Sequence, residues 1–162
     1  MEIRRITDGD DHDHAGRLVQ AAYSALADMH EEPEYLEYLG DVAARRHEAD
    51  VIVAVVDERI VGCLTFVPGP GTDHHEFDDP DSASFRYFGV DPAVQGVGVG
   101  RAMVQWCIDE ARRLGRPRLR IHTLPVMVAA QRLYTQMGFV RTPEFDENWD
   151  GVEGIAYLHD LA

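Results

Sequence analysis

The sequence predicts a mixed α/β fold, a sheet of about seven strands with about four helices on its faces. Three observations predict it. VIVAVV (51–56) and IVGCLTFV (60–67) are β-rich runs joined by the short turn DER, a hairpin pattern. Apolar residues recur at helical spacing in separate segments elsewhere. The order of segments then reads β-α-α-β-β-β-α-β-α-β-β, with strand and helix alternating in the second half.

Each element follows from its own residues. Ile3 to Ile6 reads as a short strand, and Thr7-Asp8-Gly9 supplies turn and N-cap chemistry before a helix. Ala15, Leu18, Val19, Ala22, Leu26 and Met29 set a helical stripe that predicts a first helix over 12–29. Pro33 suits a helix start, and Tyr35, Leu36, Leu39, Val42 and Ala43 predict a second helix ending in the charged stretch Arg45 to Asp50. The run 51–56 is apolar on both faces, which places it centrally in the sheet. PGPGTDHHEFDDPDS (68–82) predicts a long exposed loop before the strand SFRYFGV. From Val99 through Met103, Trp106, Cys107, Ala111 and Leu114 the helical period returns, closed by Gly115 and Pro117. RLRIHTL (118–124) alternates as a strand, Pro125 opens a helix that runs to Met137 and stops at Gly138, and FVRT and GIAYLHDL read as two last strands.

Composition narrows the function. The 162 residues, 45% hydrophobic, predict a single folded domain. Fifteen arginines, no lysine and 29 acidic residues give a formal charge of −14, which disfavours nucleic acid and anionic membranes as partners. The opening EIRRIT has no basic-then-apolar pattern and no apolar run approaches a membrane span, so the expected location is the cytoplasm. Cys63 and Cys107 sit apart among apolar neighbours and read as buried free thiols.

The chemistry is concentrated in FGVDPAVQGVGVGRAM (88–103), where Gly96, Gly98 and Gly100 alternate between a strand and a helix. Glycine permits positive φ and close approach of backbone to a ligand, and a helix start presents amide N–H groups and the positive end of its dipole. A phosphate fits there. The spacing is neither GxGxxG, which would need glycine at Arg101, nor a P-loop, which would need lysine. On the turn alone, phosphate binding and a merely glycine-rich helix entry both stay open.

Gln95-x-x-Gly98-x-Gly100, after Gly89-Val90-Asp91-Pro92, resembles the acyl-CoA-binding signature of the GCN5-related N-acetyltransferases, the GNAT family. Ala130-x-x-Leu133-Tyr134-x-x-x-Gly138-Phe139, on the helix after the next strand, resembles that family's second signature. The resemblance spans roughly residues 50–142 and implies a mostly antiparallel central sheet of the GNAT-like acyl-CoA acyltransferase type. It implies that Phe88, Gly89 and Val90 lie beside the pantetheine arm of acetyl-CoA, and that the amides of Gln95, Gly96, Val97, Gly98, Val99, Gly100 and Arg101 hold the pyrophosphate. It also implies that Tyr134 protonates the departing thiolate; an ordinary phenol, with a pKa about 10, can do so. The alternative for Tyr134 is ring packing in an ordinary core.

Two positions depart from the family pattern. Met127 stands where members often carry an asparagine that bonds the cofactor arm, and Ser84 stands where several carry a glutamate base. A water relay to backbone or His122, or a loop residue such as Glu76, remains open as the base, with His122 otherwise a surface or hydrogen-bonded residue. Asp10-Asp11-His12-Asp13-His14 and Asp73-His74-His75-Glu76 with Asp78 and Asp79 read as solvated segments rather than metal ligands, the second also as a lid over a cationic amine. Arg112, Arg113, Arg116, Arg118 and Arg120 read as dipole compensation and solvation, with a 3′-phosphate contact as the lesser alternative. Tyr23, Tyr35 and Tyr38 with Glu31, Glu32 and Glu34 read as a helix face or as the mouth of an acceptor site.

The expectation is a metal-independent acyltransferase moving an acetyl or short acyl group from acyl-CoA to a primary amine of a small molecule or peptide, by direct attack in a ternary complex. Homodimerisation stays open. The competing expectation is a non-catalytic acyl-CoA sensor or interaction domain that keeps the fold.

Overall fold

The computed structural model describes residues 1–24, 33–94 and 96–162. Among these, the elements in chain order are β1 (Glu2–Arg5), α1 (His12–Ser24), α2 (Pro33–Gly40), α3 (Val42–Arg45), β2 (Asp50–Val56), β3 (Arg59–Val67), β4 (Ser82–Val90), α4 (Val99–Arg113), β5 (Arg118–Thr123), α5 (Val128–Gln136), β6 (Val140–Arg141), β7 (Glu147–Trp149) and β8 (Val152–Asp160). Single 3-10 turns occupy Pro92–Val94 and Pro143–Phe145. The sheet has eight strands in the order β1-β2-β3-β4-β5-β8-β6, with β7 paired to β8. The mixed α/β, mostly antiparallel architecture expected from the sequence is the one observed. Its contacts group the chain into two compact units, residues 1–66 with 87–106 and residues 67–86 with 107–162.

In the first unit β2 pairs antiparallel with both β1 and β3, the central place its apolar faces require. The β2–β3 turn is Asp57 and Glu58, with φ of 48° and 63°. Two left-handed residues match the twist of a two-residue hairpin, although neither is glycine. Ala15, Leu18 and Val19 of α1, Leu39 and Val42 pack on Val51, Val53, Ile60 and Cys63. The second helix expected from Pro33 is broken after Gly40, because the Asp41 carboxylate accepts from Ala44 N–H at 3.2 Å and starts α3 afresh. The Arg45 guanidinium lies buried below, donating to Tyr38 O, Leu39 O and Thr65 Oγ1, so it satisfies the carbonyl end of α2. The end expected for the first helix, with Glu31 and Glu32, falls outside the described residues.

In the second unit β4 runs parallel to β5 over Ser82↔Arg118 to Ser84↔Arg120, and β5 runs antiparallel to β8 from Arg118↔Asp160 to Thr123↔Ile155. Gly115 and Gly138 stop α4 and α5 as expected, at φ of 73° and 95°. The N–H groups of Arg116 and Phe139 reach back to Ala111 O and Tyr134 O, the pattern of a glycine-closed helix end. Two expectations are corrected at the margins. α5 begins at Val128, not Pro125, and the last stretch is a hairpin, since Glu147–Trp149 adds β7 against Val152–Gly154.

The largest correction concerns residues 68–82. This segment is a loop but only partly exposed: His74, Phe77 and Asp79 are buried. Asp79 accepts from Arg118 at 2.7 and 2.9 Å and from Arg120 Nε at 2.7 Å, while Arg116 Nε donates to Pro68 O at 2.8 Å. The acidic segment and the basic stripe, each read alone as solvated, are partners. Burial of paired opposite charges replaces the hydration either run would need by itself.

Candidate functional site

The glycine turn lies in the first unit. Asp91 closes β4 by donating its N–H to Val61 O at 2.8 Å, and its carboxylate accepts from Ala93 N–H at 2.9 Å, which starts the 3-10 turn. Gly96 and Gly98 then adopt φ of 88° and 90°, conformations that L side chains rarely enter. A Cβ at either would meet nothing within 4 Å, so the backbone angle and not crowding demands glycine. Gly100 lies inside α4, so two of the three alternate glycines set the turn. The first helical bond runs from Ala102 N to Gly98 O at 3.0 Å, so Val99, Gly100 and Arg101 form the leading turn. Buried Val99 and Met103 pin this helix start, and Met103 Sδ occupies the space a Cβ at Gly62 would take. Val97 is 71% exposed between the two glycines. Gln95 falls outside the described residues.

β4 carries a feature that sequence reasoning missed. Tyr87 has φ of 55° in mid-strand, an outlying value for a bulky residue. Its ring meets Tyr38 edge-on at 5.8 Å and lies under the Arg45 guanidinium at 4.8 Å. No periodicity signal distinguishes a tyrosine of positive φ from a regular one. Beyond it, Phe88 and Val90 are half-buried, whereas Gly89 is buried so close to α1 that a Cβ would lie 2.5 Å from Leu18 O. Tyr23 and Tyr35 pack on the core and Tyr38 stays exposed, so the helix-face reading holds for the first two.

In the second unit Tyr134 is buried in an aromatic group, with Phe85 at 5.9 Å, Phe139 at 5.6 Å and Tyr157 at 6.2 Å. Its ring packs among these aromatics. Met127 sits before α5 without capping it, and its sulfur accepts from Thr123 Oγ1 at 3.4 Å. Ala130, half-buried, stands one turn before Tyr134. Ser84 is buried, and its hydroxyl makes no hydrogen bond.

His122, read as a surface or hydrogen-bonded residue, is the latter and is buried. Its Nε2 lies 2.8 Å from Phe145 O and its Nδ1 lies 2.9 Å from Glu76 Oε1. Phe77 stacks on the imidazole at 4.2 Å and Trp149 meets it edge-on at 5.2 Å. Glu76 Oε2 also meets Arg86 Nη2 at 3.2 Å. The other electrostatic features are structural. Hydrogen bonds from Arg118, then Arg120, hold the Asp79 carboxyl well below the usual carboxylate range against the opposing effect of burial. Asp10 pairs with Arg4 at 2.8 Å and His14 Nε2 meets Ile60 O at 2.9 Å, so that acidic stretch is divided among separate partners. Among the described residues no group of three or more His, Cys, Asp or Glu could hold a metal ion, and no helix is long and apolar enough to cross a membrane.

Comparisons with known proteins add to this geometry. The chain aligns over its full length with solved structures at low identity. One is yncA from Salmonella typhimurium, solved with its cofactor acetyl-CoA, with TM-score 0.69, 21% identity and coverage of 99% of this chain and 94% of that one. The ribosomal-protein-alanine N-acetyltransferase of Brucella melitensis gives TM-score 0.68 and 19% identity, covering 99% and 100%. A GNAT acetyltransferase of Elizabethkingia anophelis with acetyl-CoA bound gives 0.66 and 17%, covering 99% and 97%. No curated protein matches the chain. The family model described as Acetyltransferase (GNAT) family matches residues 16–139, which include the glycine turn, the strand of Tyr87 and the helix of Tyr134, and the chain belongs to that family.

Proposed function

We propose that this protein, acting as one catalytic domain, transfers an acetyl group from acetyl-CoA to a primary amine of a small molecule or peptide. The observation that carries the reading is the pair of positive-φ glycines at the start of α4, 88° at Gly96 and 90° at Gly98. Backbone amides grouped at a helix start bind phosphate through hydrogen bonds and the helix dipole. In this reading the amides from Gln95 to Arg101 hold the pyrophosphate, Arg101 adds a cation, and Phe88, Gly89 and Val90 accompany the pantetheine arm.

The reaction is aminolysis of a thioester. The amine lone pair adds to the thioester carbonyl, the tetrahedral intermediate collapses and the thiolate leaves. Tyr134 supplies its proton in this proposal. Direct attack is favoured over an acyl-enzyme because Cys63 and Cys107 are fully buried and burial pushes the Cys63 thiol up to about 12.

Calorimetric titration with acetyl-CoA, with NADH and ATP as controls, tests the binding half. Selective binding supports it, and absence of binding at millimolar acetyl-CoA gives precedence to a non-catalytic interaction domain. Tyr134→Phe tests the acid. Turnover should fall about a hundredfold with acetyl-CoA affinity unchanged, whereas a sensor has no turnover to lose.

A further inference from the structure

We propose that Glu76, backed by His122, takes the proton from the acceptor's ammonium group; this rests on the acetyl-transfer reading above. The argument lies wholly in the second unit. Side chains alternate along a strand, so Ser84 and Arg86 face one side of β4 and Phe85 the other. Phe85 packs against Tyr134, the proposed acid. The β4–β5 register ends at Ser84↔Arg120, and the next residues on the opposite face are Arg86 and His122. Glu76 bridges these two, with Oε2 at 3.2 Å from Arg86 and Oε1 at 2.9 Å from His122. The carboxylate therefore stands where the strand register ends, on the face away from Tyr134.

The hydrogen bonding of His122 decides what the pair can do. Phe145 O can only accept, so Nε2 donates to it and carries a proton. Nδ1 and a carboxylate oxygen at 2.9 Å repel unless a proton lies on one of them. The contact is short but out of line for a hydrogen bond, as catalytic contacts often are before substrate binds. Glu76 keeps 13% of its side-chain surface exposed against 3% for His122, so Glu76 meets the acceptor and His122 acts through it as a positioning residue. The other charged groups around the pair are Arg86, Arg120 with its partner Asp79, and Asp146, whose carboxyl Arg141 and, more weakly, His122 hold down.

The protons balance. The acceptor ammonium gives up two: one passes to Glu76 and on to His122 Nδ1, then to solvent, and the other replaces the proton that Tyr134 hands to the thiolate. The products are the amide, free CoA and one proton in solution. The glutamate that several family members carry on β4 is replaced here by Ser84, and Glu76 reaches the same sheet face from the segment before β4.

The test uses the full chain with acetyl-CoA and two acceptor probes, ethylamine, which arrives as ammonium, and aniline, which arrives neutral. Glu76→Gln should reduce kcat/KM for ethylamine about a hundredfold, change that for aniline little and leave acetyl-CoA affinity intact. His122→Asn should shift the pH profile for ethylamine and spare aniline. Equal losses on both amines, or no loss on either, overturn the proton path. A wild-type protein that binds no acetyl-CoA overturns the reading beneath it instead.

Discussion

Asp79 joins the segment before β4 to β5 with one carboxylate. It accepts from two arginines, one of them buried, so its protonation removes the anion that both cations share where water does not fully reach them. Because its folded pKa is depressed, the stabilisation it gives is present above the ordinary carboxylate value and is lost as pH falls below about 4. Asp79→Asn should lower the thermal midpoint at pH 7 and flatten its decline in acid, as a calorimetric series from pH 7 to 3 would read. At Gly98 the issue is conformation. A residue other than glycine at φ of 90° costs about 1–2 kcal/mol. Gly98→Val should weaken acetyl-CoA binding by about tenfold or more, while the fold, anchored by buried Val99 and Met103, survives. Circular dichroism together with acetyl-CoA calorimetry distinguishes this from global unfolding.

At the scale of elements, the periodic segments were legible in the sequence and the segments between them were not. The β2–β3 hairpin, α4 with its Gly115 stop and α5 with its Gly138 stop follow from local pattern, because apolar period and φ preference act within a few residues. The glycine turn was legible for the same reason, since its angles are set by its own backbone. Residues 68–82 were opaque because their partners, Arg116, Arg118 and Arg120, lie more than thirty residues away. Two oppositely charged runs each read as solvated until the fold sets them face to face. The Glu76–His122 contact was hidden likewise; both residues were visible as candidates, but their pairing is tertiary. The positive φ at Tyr87 left no trace either, since nothing in its local pattern demands it. Arg45→Met leaves the carbonyls of Tyr38 and Leu39 without their donor, and faster amide exchange in α2 would report it.

The whole molecule carries −14 and yet, in the proposed reaction, admits a polyanionic cofactor. At low ionic strength the long-range field opposes approach, and binding relies on short-range amides and Arg101. Association of acetyl-CoA, measured by stopped flow, should accordingly quicken as salt rises from about 10 to 150 mM, where the Debye length shrinks from about 30 to about 8 Å. A cationic acceptor should show the reverse trend. The two cysteines bear on how any of this is measured. Cys63 and Cys107 are inaccessible, and burial keeps both thiols protonated at assay pH. A chromogenic disulfide reagent added to the native enzyme will therefore be reduced by liberated CoA alone, giving a blank free of protein background. Colour that develops without any acyl donor would count unfolded chains, two equivalents for each, so the same cuvette that follows turnover also audits the integrity of the enzyme.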